Sequence, residues 1–304
     1  MILTERPFNP YFGAILEERR NFVDGALKSY ISTFKSPSEK LTEAVNYTLF
    51  AGGKRIRPAL LISVCESLGI RNEGCLKAGC AFEALHTYSL IHDDLPSMDN
   101  DDFRRGKPTC HKVYGEALAI LAGDALQALA FEWMSDIAKL GISEKKTIMA
   151  ISIFSKAAGR IGMVGGQALD LHYEGKPVTL ETLKAIHLLK TGAILKACVE
   201  VGAIIAGYPE EQINLFSAFG EKIGLLFQIV DDILDQEGTL SQLGKTPGKD
   251  LKTGKATFPS LIGLEESKKY ATQIENEALE ALSKIKLIEP LLLDFTRFIR
   301  SRIS

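Results

Sequence analysis

Two clusters of aspartates stand out among the side chains of this sequence that could do chemistry. The first cluster, DDLPSMD, runs from Asp93 to Asp99, and the second, DDILD, runs from Asp231 to Asp235. The end residues of the second cluster are four positions apart, so on a helix they project from one face and repel each other. Carboxylates gathered without His or Cys are typical of Mg²⁺ sites that also bind substrate phosphates. The predicted metal ligands are Asp93, Asp94, Asp99, Asp231, Asp232 and Asp235.

The first cluster contains a proline that bears on its geometry. Pro96 is expected to end the helix that carries Asp93, because proline breaks the hydrogen-bond ladder of a helix interior. Asp99 can then fold back toward Asp93 from the loop that follows.

Basic residues accompany the aspartates in three places. In GGKRIRP, residues 52–58, the glycines suit a helix end and Pro58 suits the first turn of the next helix. A helix start that carries Lys54 and Arg57 is a natural anion site. The other basic residues directly follow the aspartate clusters: Arg104 and Arg105 after the first, and Lys245, Lys249, Lys252 and Lys255 after the second. Acid next to base predicts a diphosphate that is bridged by metal and gripped by Arg or Lys.

The five histidines receive different interpretations. His86 lies seven residues before Asp93, which is two turns along the same helix face, so we expect it to line the same cavity. The other four are interpreted as structural: His92, His111, His172 and His187.

The elements that carry these residues are predicted to be helices. Apolar residues recur at intervals of three and four, and strict alternation is scarce. The predicted helices are 10–34, 38–51, 55–69, 74–95, 114–138, 144–172, 179–206, 209–236, 255–265, 267–285 and 288–302. The helices at 74–95, 179–206 and 209–236 are apolar on most faces and should lie inside the bundle. Charges there are costly unless they are paired or bind metal.

Length and composition set the broad class. The 304 residues are 46% apolar and 24% charged, which excludes a disordered chain. With 36 basic and 38 acidic residues the net charge is −2, so no global field attracts nucleic acid or an anionic membrane. A polyanionic ligand must therefore be small and held at a discrete site. No composition shift marks a linker, and we expect one all-α domain over residues 1–304.

Compartment is predicted from cysteines and from targeting signals. The five cysteines are scattered and never spaced C-x-x-C, so neither a zinc site nor a disulfide framework is predicted. Glu5 and Arg6 interrupt the N-terminus where a signal peptide would be apolar, and Asp124 interrupts the most apolar stretch. We expect a cytoplasmic protein without stable membrane insertion.

Together these motifs resemble those of the trans-isoprenyl diphosphate synthases, or polyprenyl synthetases. GGKRIRP, the run HTYSLIHDDLPSMD over residues 86–99 and RRGKPT over residues 104–109 are most similar to bacterial farnesyl diphosphate synthases. Plant-type geranylgeranyl diphosphate synthases share much of this pattern. The resemblance covers about residues 40–265. It implies a bundle of about ten or more helices around a central catalytic cavity, and a homodimer.

The resemblance also implies roles for individual residues. The aspartates of both clusters would hold Mg²⁺, three ions per active site, against the allylic diphosphate. Arg104 would grip that diphosphate. The isopentenyl diphosphate site would consist of Lys54, Arg57, His86 and Arg105. Residues around the allylic diphosphate and the developing cation would be Lys190, Thr191, Gln228, Lys245 and Lys255. The residues with implied catalytic roles are Asp93, Asp99, Arg104, Lys190 and Asp231.

The activity implied is the Mg²⁺-dependent head-to-tail condensation of isopentenyl diphosphate with dimethylallyl and geranyl diphosphates. Farnesyl diphosphate is the expected product and diphosphate is released. Tyr88 and Ser89, about one turn before Asp93, are expected to limit chain length. Three alternatives remain: a geranylgeranyl diphosphate synthase, a class I terpene cyclase and a non-catalytic prenyltransferase subunit. A cyclase needs no isopentenyl site, and a non-catalytic subunit is expected to have lost an aspartate cluster.

Overall fold

The computed structural model describes residues 8–33, 36–237 and 255–303, and most of these residues are helical. The first seven α-helices are α1 Phe12–Ile31, α2 Glu39–Leu49, α3 Ile56–Ser67, α4 Glu73–Asp93, α5 Cys110–Tyr114, α6 Glu116–Asp136 and α7 Glu144–Ala158. The remaining seven are α8 Met163–Tyr173, α9 Leu180–His187, α10 Ala193–Ile205, α11 Ile213–Glu237, α12 Phe258–Ile262, α13 Leu264–Ser283 and α14 Leu291–Ser301. The all-α prediction is confirmed.

Among the described residues, three helical segments are not α-helical, and one hairpin was not predicted. Short 3₁₀ turns occupy Ile137–Leu140 and Glu210–Gln212, and a π-helical turn joins α9 to α10 at Leu188–Gly192. The hairpin pairs β1, Phe103–Arg104, antiparallel with β2, Lys107–Pro108. It is two residues long on each side, too short to give an alternating pattern in the sequence.

The prediction of a single helix over residues 144–172 is wrong, because a turn at residues 159–162 separates α7 from α8. Two glycines stand at the break, and Gly162 shows why the helix does not continue. A Cβ atom there would lie 2.1 Å from the carbonyl oxygen of Ala157, so only glycine fits this turn. Apolar periodicity continues on both sides of the break and conceals it.

The interior consists of the helices that are apolar on most faces, as predicted. α4 packs mainly against α6, and α10 lies against α3, α7 and α11. The buried apolar side chains form one cluster to which every long helix of the described chain contributes. All five cysteines are free and buried within it.

Close backbone contacts fix the π-helical turn. A Cβ atom on Gly166 of α8 would lie 2.2 Å from the backbone nitrogen of Lys190. On the other side, a Cβ atom on Gly224 of α11 would lie 2.6 Å from the Cα atom of Gly192. The turn that carries Lys190 is therefore held between α8 and α11, and π-turns of this kind often occur at functional sites.

Within the part of the chain that the structure describes, three helical stretches reach the length and apolar composition of a membrane span. They are Glu116–Leu140, Glu144–Tyr173 and Glu210–Glu237. Between 33% and 50% of the most apolar part of each stretch is buried inside the protein. The absence of membrane insertion stays a prediction.

Gly224→Ala tests the close contact between α11 and the π-turn. The added methyl group must push Gly192 away, and we expect a loss of about 1–3 kcal/mol in the free energy of unfolding, measured by denaturant titration. Gly25→Ala is the matched control, because the space around Gly25 in α1 is open. That change should stabilise by about 0.5–1 kcal/mol. Equal stabilities of Gly224→Ala and the wild type would contradict the close approach.

Candidate active site

The first aspartate cluster lies where α4 ends and the chain turns back. Asp93 is the last residue of α4, and the backbone N–H of Asp99 donates to the carbonyl oxygen of Asp93 at 2.8 Å. The prediction that Asp99 folds back toward Asp93 is confirmed. The helix ends before Pro96, which cannot continue the hydrogen-bond ladder.

The carboxylate of Asp93 is suited to a cation. Within the described chain it takes part in no hydrogen bond or ion pair. Burial raises the pKa of Asp93, and the Asp99 charge acts in the same direction, while Lys190 and Arg104 oppose it. Two carboxylates close enough to repel each other in a half-buried site fit a hard divalent ion such as Mg²⁺.

Asp94 points away from that pair and holds an arginine. Arg104 Nε donates to Asp94 Oδ1 at 2.6 Å, and Arg104 Nη2 donates to Asp101 Oδ2 at 3.3 Å. Burial raises the pKa of Asp94 to about 6, against the opposing effect of Arg104. The β1–β2 hairpin thus places Arg104 beside the first cluster, as the sequence predicted.

In the second cluster, on α11, the aspartates also have different partners. Asp231 is half-exposed, and its Oδ1 accepts from Arg302 Nη2 at 2.7 Å. Asp232 is buried, and its Oδ2 accepts from the backbone N–H of Phe258 at 2.9 Å and lies 3.1 Å from His187 Nε2. Asp235 is buried. The geometry therefore favours Asp231 as a ligand and gives Asp232 a positioning contact.

A four-residue segment spans the two clusters. Lys255 Nζ donates to Asp99 Oδ1 at 2.9 Å, and Phe258, three residues later, contacts Asp232. Three residues extend at most about 11 Å. One short segment therefore contacts both aspartate clusters, although they lie on different helices and are far apart in the sequence.

Among the described residues, no three His, Cys, Asp or Glu side chains form a ready metal-binding group. Three of the aspartates instead pair with basic side chains: Asp94 with Arg104, Asp99 with Lys255 and Asp231 with Arg302. The carboxylates of Asp93, Asp99 and Asp231 fit Mg²⁺ by the chemistry of their hard oxygen atoms. Ligation by all six aspartates stays a prediction.

Two further residues of the site escaped the sequence analysis. Asp170 Oδ2 accepts from Lys190 Nζ at 2.6 Å and lies 3.9 Å from Lys255 Nζ. His187, interpreted as structural, bonds Asp232, and the Asp232 charge raises its pKa despite burial. The sequence did contain a signal, because Asp170 is a single charge in the apolar stretch GMVGGQALDL.

The remaining predicted allylic residues lie on α11 and the π-turn. Gln228 Nε2 lies 3.4 Å from His187 Nδ1, and Thr191 follows Lys190 in the π-turn. Both are half-buried. Lys245 lies outside the described residues.

The predicted isopentenyl residues converge around His86. Burial lowers the pKa of His86 well below its usual value, and the positive charges of Arg57, Arg105 and Arg104 add to the effect. Arg105 donates to the carbonyl oxygen of Gly52. The Arg105 side chain also packs against Gly53, where a Cβ atom would lie 2.7 Å from the guanidinium carbon of Arg105. A neutral His86 among arginines makes a compact site for an anion.

Lys54, the last of the predicted isopentenyl residues, is exposed. It lines a cavity of about 400 Å³ together with Arg20 and Arg302. Because Arg302 also pairs with Asp231, Lys54 adjoins the second aspartate cluster. Arg57 and Arg105 thus lie near His86, and Lys54 lies near Asp231 of the second aspartate cluster.

Tyr88 and Ser89 lie on α4 next to the first cluster. Tyr88 is 8% exposed, and its ring packs edge-on against His92 with centroids 5.0 Å apart. Burial raises the pKa of Tyr88, and the Asp93 charge adds to this effect. Ser89 Oγ donates to the carbonyl oxygen of His86 at 2.9 Å.

Comparison with known proteins agrees with this fold and arrangement. Over 95% of this chain, the structure matches an FPP/GFPP synthase from Zymomonas mobilis with a TM-score of 0.81 and 37% identity, covering 97% of that protein. It also matches a geranyltransferase from Helicobacter pylori complexed with magnesium and isoprenyl diphosphate, with a TM-score of 0.80 and 33% identity over 97% of this chain and 98% of that one. The fold and site thus define a helical isoprenoid synthase.

Sequence relatives make the assignment more specific. The chain is 46% identical over 280 residues to a chloroplastic geranylgeranyl pyrophosphate synthase of Capsicum annuum, covering 92% of this chain and 74% of the relative. It is 47% identical over 282 residues to a dimethylallyltranstransferase of Fischerella ambigua, covering 92% and 80%. The polyprenyl synthetase family model matches residues 38–291. The chain belongs to the polyprenyl synthetase family, and it is a trans-prenyl diphosphate synthase.

The neutral His86 predicts a specific pH dependence of stability. Its folded pKa is lowered, so below about pH 6.5 the unfolded state binds more protons and the wild type loses stability as pH falls. The slope from this group reaches at most about 1.4 kcal/mol per pH unit. His86→Gln lacks this group and should lose less stability between pH 7 and pH 5, measured by denaturant titration. Parallel losses in the two proteins would contradict a lowered pKa.

Proposed function

We propose that this protein condenses isopentenyl diphosphate with dimethylallyl and geranyl diphosphates, and that its main product is farnesyl diphosphate. The observation that carries the proposal is the combination of two aspartate clusters, both contacted by one short segment, with an arginine group around His86. Such a site offers two places for a diphosphate, one at the carboxylates through a metal ion and one at the arginines. A hydrolase or a binding module would need only one of them.

The aspartates are the proposed Mg²⁺ ligands, with Asp93, Asp99 and Asp231 as the principal ones. When bound, Mg²⁺ supplies positive charge that stabilises the leaving diphosphate. The relative from Helicobacter pylori is described as complexed with magnesium. We propose three ions per site, in accordance with the resemblance.

Each of the two substrates would be bound by its own set of basic side chains. Arg104, Lys190 and Lys255 lie beside the first cluster and would bind the allylic diphosphate, whose developing negative charge they stabilise. Lys54 and Arg57, with His86 and Arg105, would bind isopentenyl diphosphate.

The reaction then needs no side chain of tuned basicity. The allylic C–O bond breaks, a C–C bond forms to the double bond of isopentenyl diphosphate, and a proton leaves the new chain. The departing diphosphate is a sufficient acceptor for that proton. Apolar helix faces keep water away from the cation, which water would otherwise trap.

The product length is proposed from Tyr88. Its buried ring lies close to Asp93, at the start of the path that a growing chain would take along α4. A rigid aromatic ring there can close the pocket beneath a 15-carbon chain. A 20-carbon product is the second candidate, because most of the similar sequence relatives are described as geranylgeranyl diphosphate synthases.

We also propose a cytoplasmic homodimer without stable membrane insertion. Exposed apolar side chains on neighbouring helices, Ile120 and Leu121 of α6 and Ile148 of α7, support an interface between copies. The two other activities considered have less support. The basic group around His86 argues against a terpene cyclase, and the two complete aspartate clusters argue against a non-catalytic subunit.

Asp93→Asn and Asp231→Asn test the metal ligands. Each change should lower kcat by at least about 100-fold, because several kcal/mol of charge stabilisation are lost in a site shielded from water. Asp102→Asn is the matched control, since Asp102 is exposed and pairs only with Lys112 among the described residues. Steady-state rates with and without chelator measure the effect. Losses of about tenfold or less at both positions would contradict the assignment.

Tyr88→Ala tests the proposed limit on chain length. The wild type should release mainly the 15-carbon product, and the variant should shift to 20 carbons or longer, measured by chromatography of the hydrolysed products. Tyr208→Ala is the control, because Tyr208 packs on Phe216 away from α4. Mainly 20-carbon product from the wild type would support the second candidate. An unchanged product from Tyr88→Ala would place the limit elsewhere.

A further inference from the structure

Arg55 stands between the two basic residues of GGKRIRP and has a different environment from both. Its side chain is 1% exposed, and its three hydrogen bonds reach three helices. Nε donates to Asp24 Oδ1 of α1 at 2.8 Å, Nη1 donates to Glu83 Oε1 of α4 at 2.7 Å, and Nη2 donates to the carbonyl oxygen of Leu49 of α2 at 2.7 Å. Such a guanidinium has no room for a substrate.

The backbone of Arg55 shows that these contacts hold the residue in an unfavourable conformation. Its φ of +49° lies in the left-handed region, which residues other than glycine rarely adopt. Strained residues of this kind persist only where surrounding contacts over-determine them. The turn sends Lys54 to one side of Arg55 and starts α3, which carries Arg57, on the other.

Glu83 connects this turn to the rest of the basic group. It is 1% exposed and lies three residues before His86 on α4. The Arg55–Glu83 pair therefore ties the GGKRIRP segment to the helix that carries His86. Burial lowers the pKa of Arg57, and the Glu83 carboxylate acts in the opposite direction, so Glu83 also offsets part of the charge repulsion in the group.

We propose that Arg55 is a positioning residue of the isopentenyl diphosphate site. Clamped by Asp24 and Glu83, it fixes the directions in which Lys54 and Arg57 leave the turn, without touching substrate. This inference rests on the proposed function. Lost hydrogen bonds at Arg55 displace two diphosphate ligands together and leave the allylic site unchanged, because the allylic residues lie on other elements.

Arg55→Met tests the proposal in steady-state kinetics with each substrate varied in turn. We expect KM for isopentenyl diphosphate to rise by about tenfold or more, equivalent to about 1.4 kcal/mol, and KM for geranyl diphosphate to stay within about twofold. Arg55→Lys keeps the charge and one possible hydrogen bond, so it should restore part of the affinity. Asp24→Asn removes one charged partner from the more exposed end of the network and should give an intermediate rise.

Arg19→Met is the matched control. Arg19 is also a buried arginine of the α1–α3 contact, bonded to Ser63 at 2.9 Å and paired with Glu66. Its loss should lower the thermal unfolding midpoint as Arg55→Met does, but should leave both KM values within about twofold of the wild type. A selective effect at Arg55 is then not a consequence of lower stability.

The outcomes separate the inference from the function on which it rests. If Arg55→Met and Asp24→Asn behave like Arg19→Met, or raise both KM values equally, the positioning role is overturned. Should Arg55→Met fail to fold, Asp24→Asn decides alone by the same criterion. Arg57→Met tests the site itself: an unchanged KM for isopentenyl diphosphate in that variant would contradict the proposed function, whatever Arg55 does.

Discussion

Repulsion among the carboxylates of a partly buried site is the constraint on which the site depends. Aspartates from α4, α8 and α11 approach one another between apolar helices, where an uncompensated charge costs several kcal/mol. Each cluster meets this constraint with basic groups from other elements. Arg104 of the β1–β2 hairpin, Lys255 of the bridging segment and Arg302 after α14 each pair with a different aspartate. These ion pairs occupy the carboxylates that a metal–diphosphate complex would otherwise bind.

The backbone supplies the second condition, because the charged groups must be held at fixed separations. Glycines allow the π-turn with Lys190 to lie directly against α8 and α11. Asp170 then anchors the Lys190 ammonium, and His187 anchors Asp232. The residues proposed to touch substrate therefore rest on neighbours that do not. The clamp of Arg55 by Asp24 and Glu83 is the same arrangement at the isopentenyl end.

Several parts of the fold and site could be predicted because they depend on local patterns. Apolar periodicity located the long helices, and the return of Asp99 to Asp93 followed from Pro96. Local patterns failed at Gly159 and Gly162, where the apolar periodicity continues although the helix is interrupted. They failed also at Asp170 and His187, whose importance comes from partners 20 and 45 residues away. Periodicity and motif spacing are evaluated over fewer residues than these separations, so they cannot reveal such pairs.

The sequence by itself determined the helical class and the two aspartate clusters, because both depend on residue types at short spacings. It also determined the family, through motifs that neighbouring residues spell out. Only the tertiary structure decided which basic residues and which aspartates face the site and which bind to other parts of the protein. Lys54, Arg55 and Arg57 have similar charges in the sequence, but burial turned Arg55 into a structural clamp. Likewise Asp93 stayed available to a cation while Asp94 and Asp232 turned to protein partners, since the direction of a side chain depends on helices that the chain brings together only when it folds.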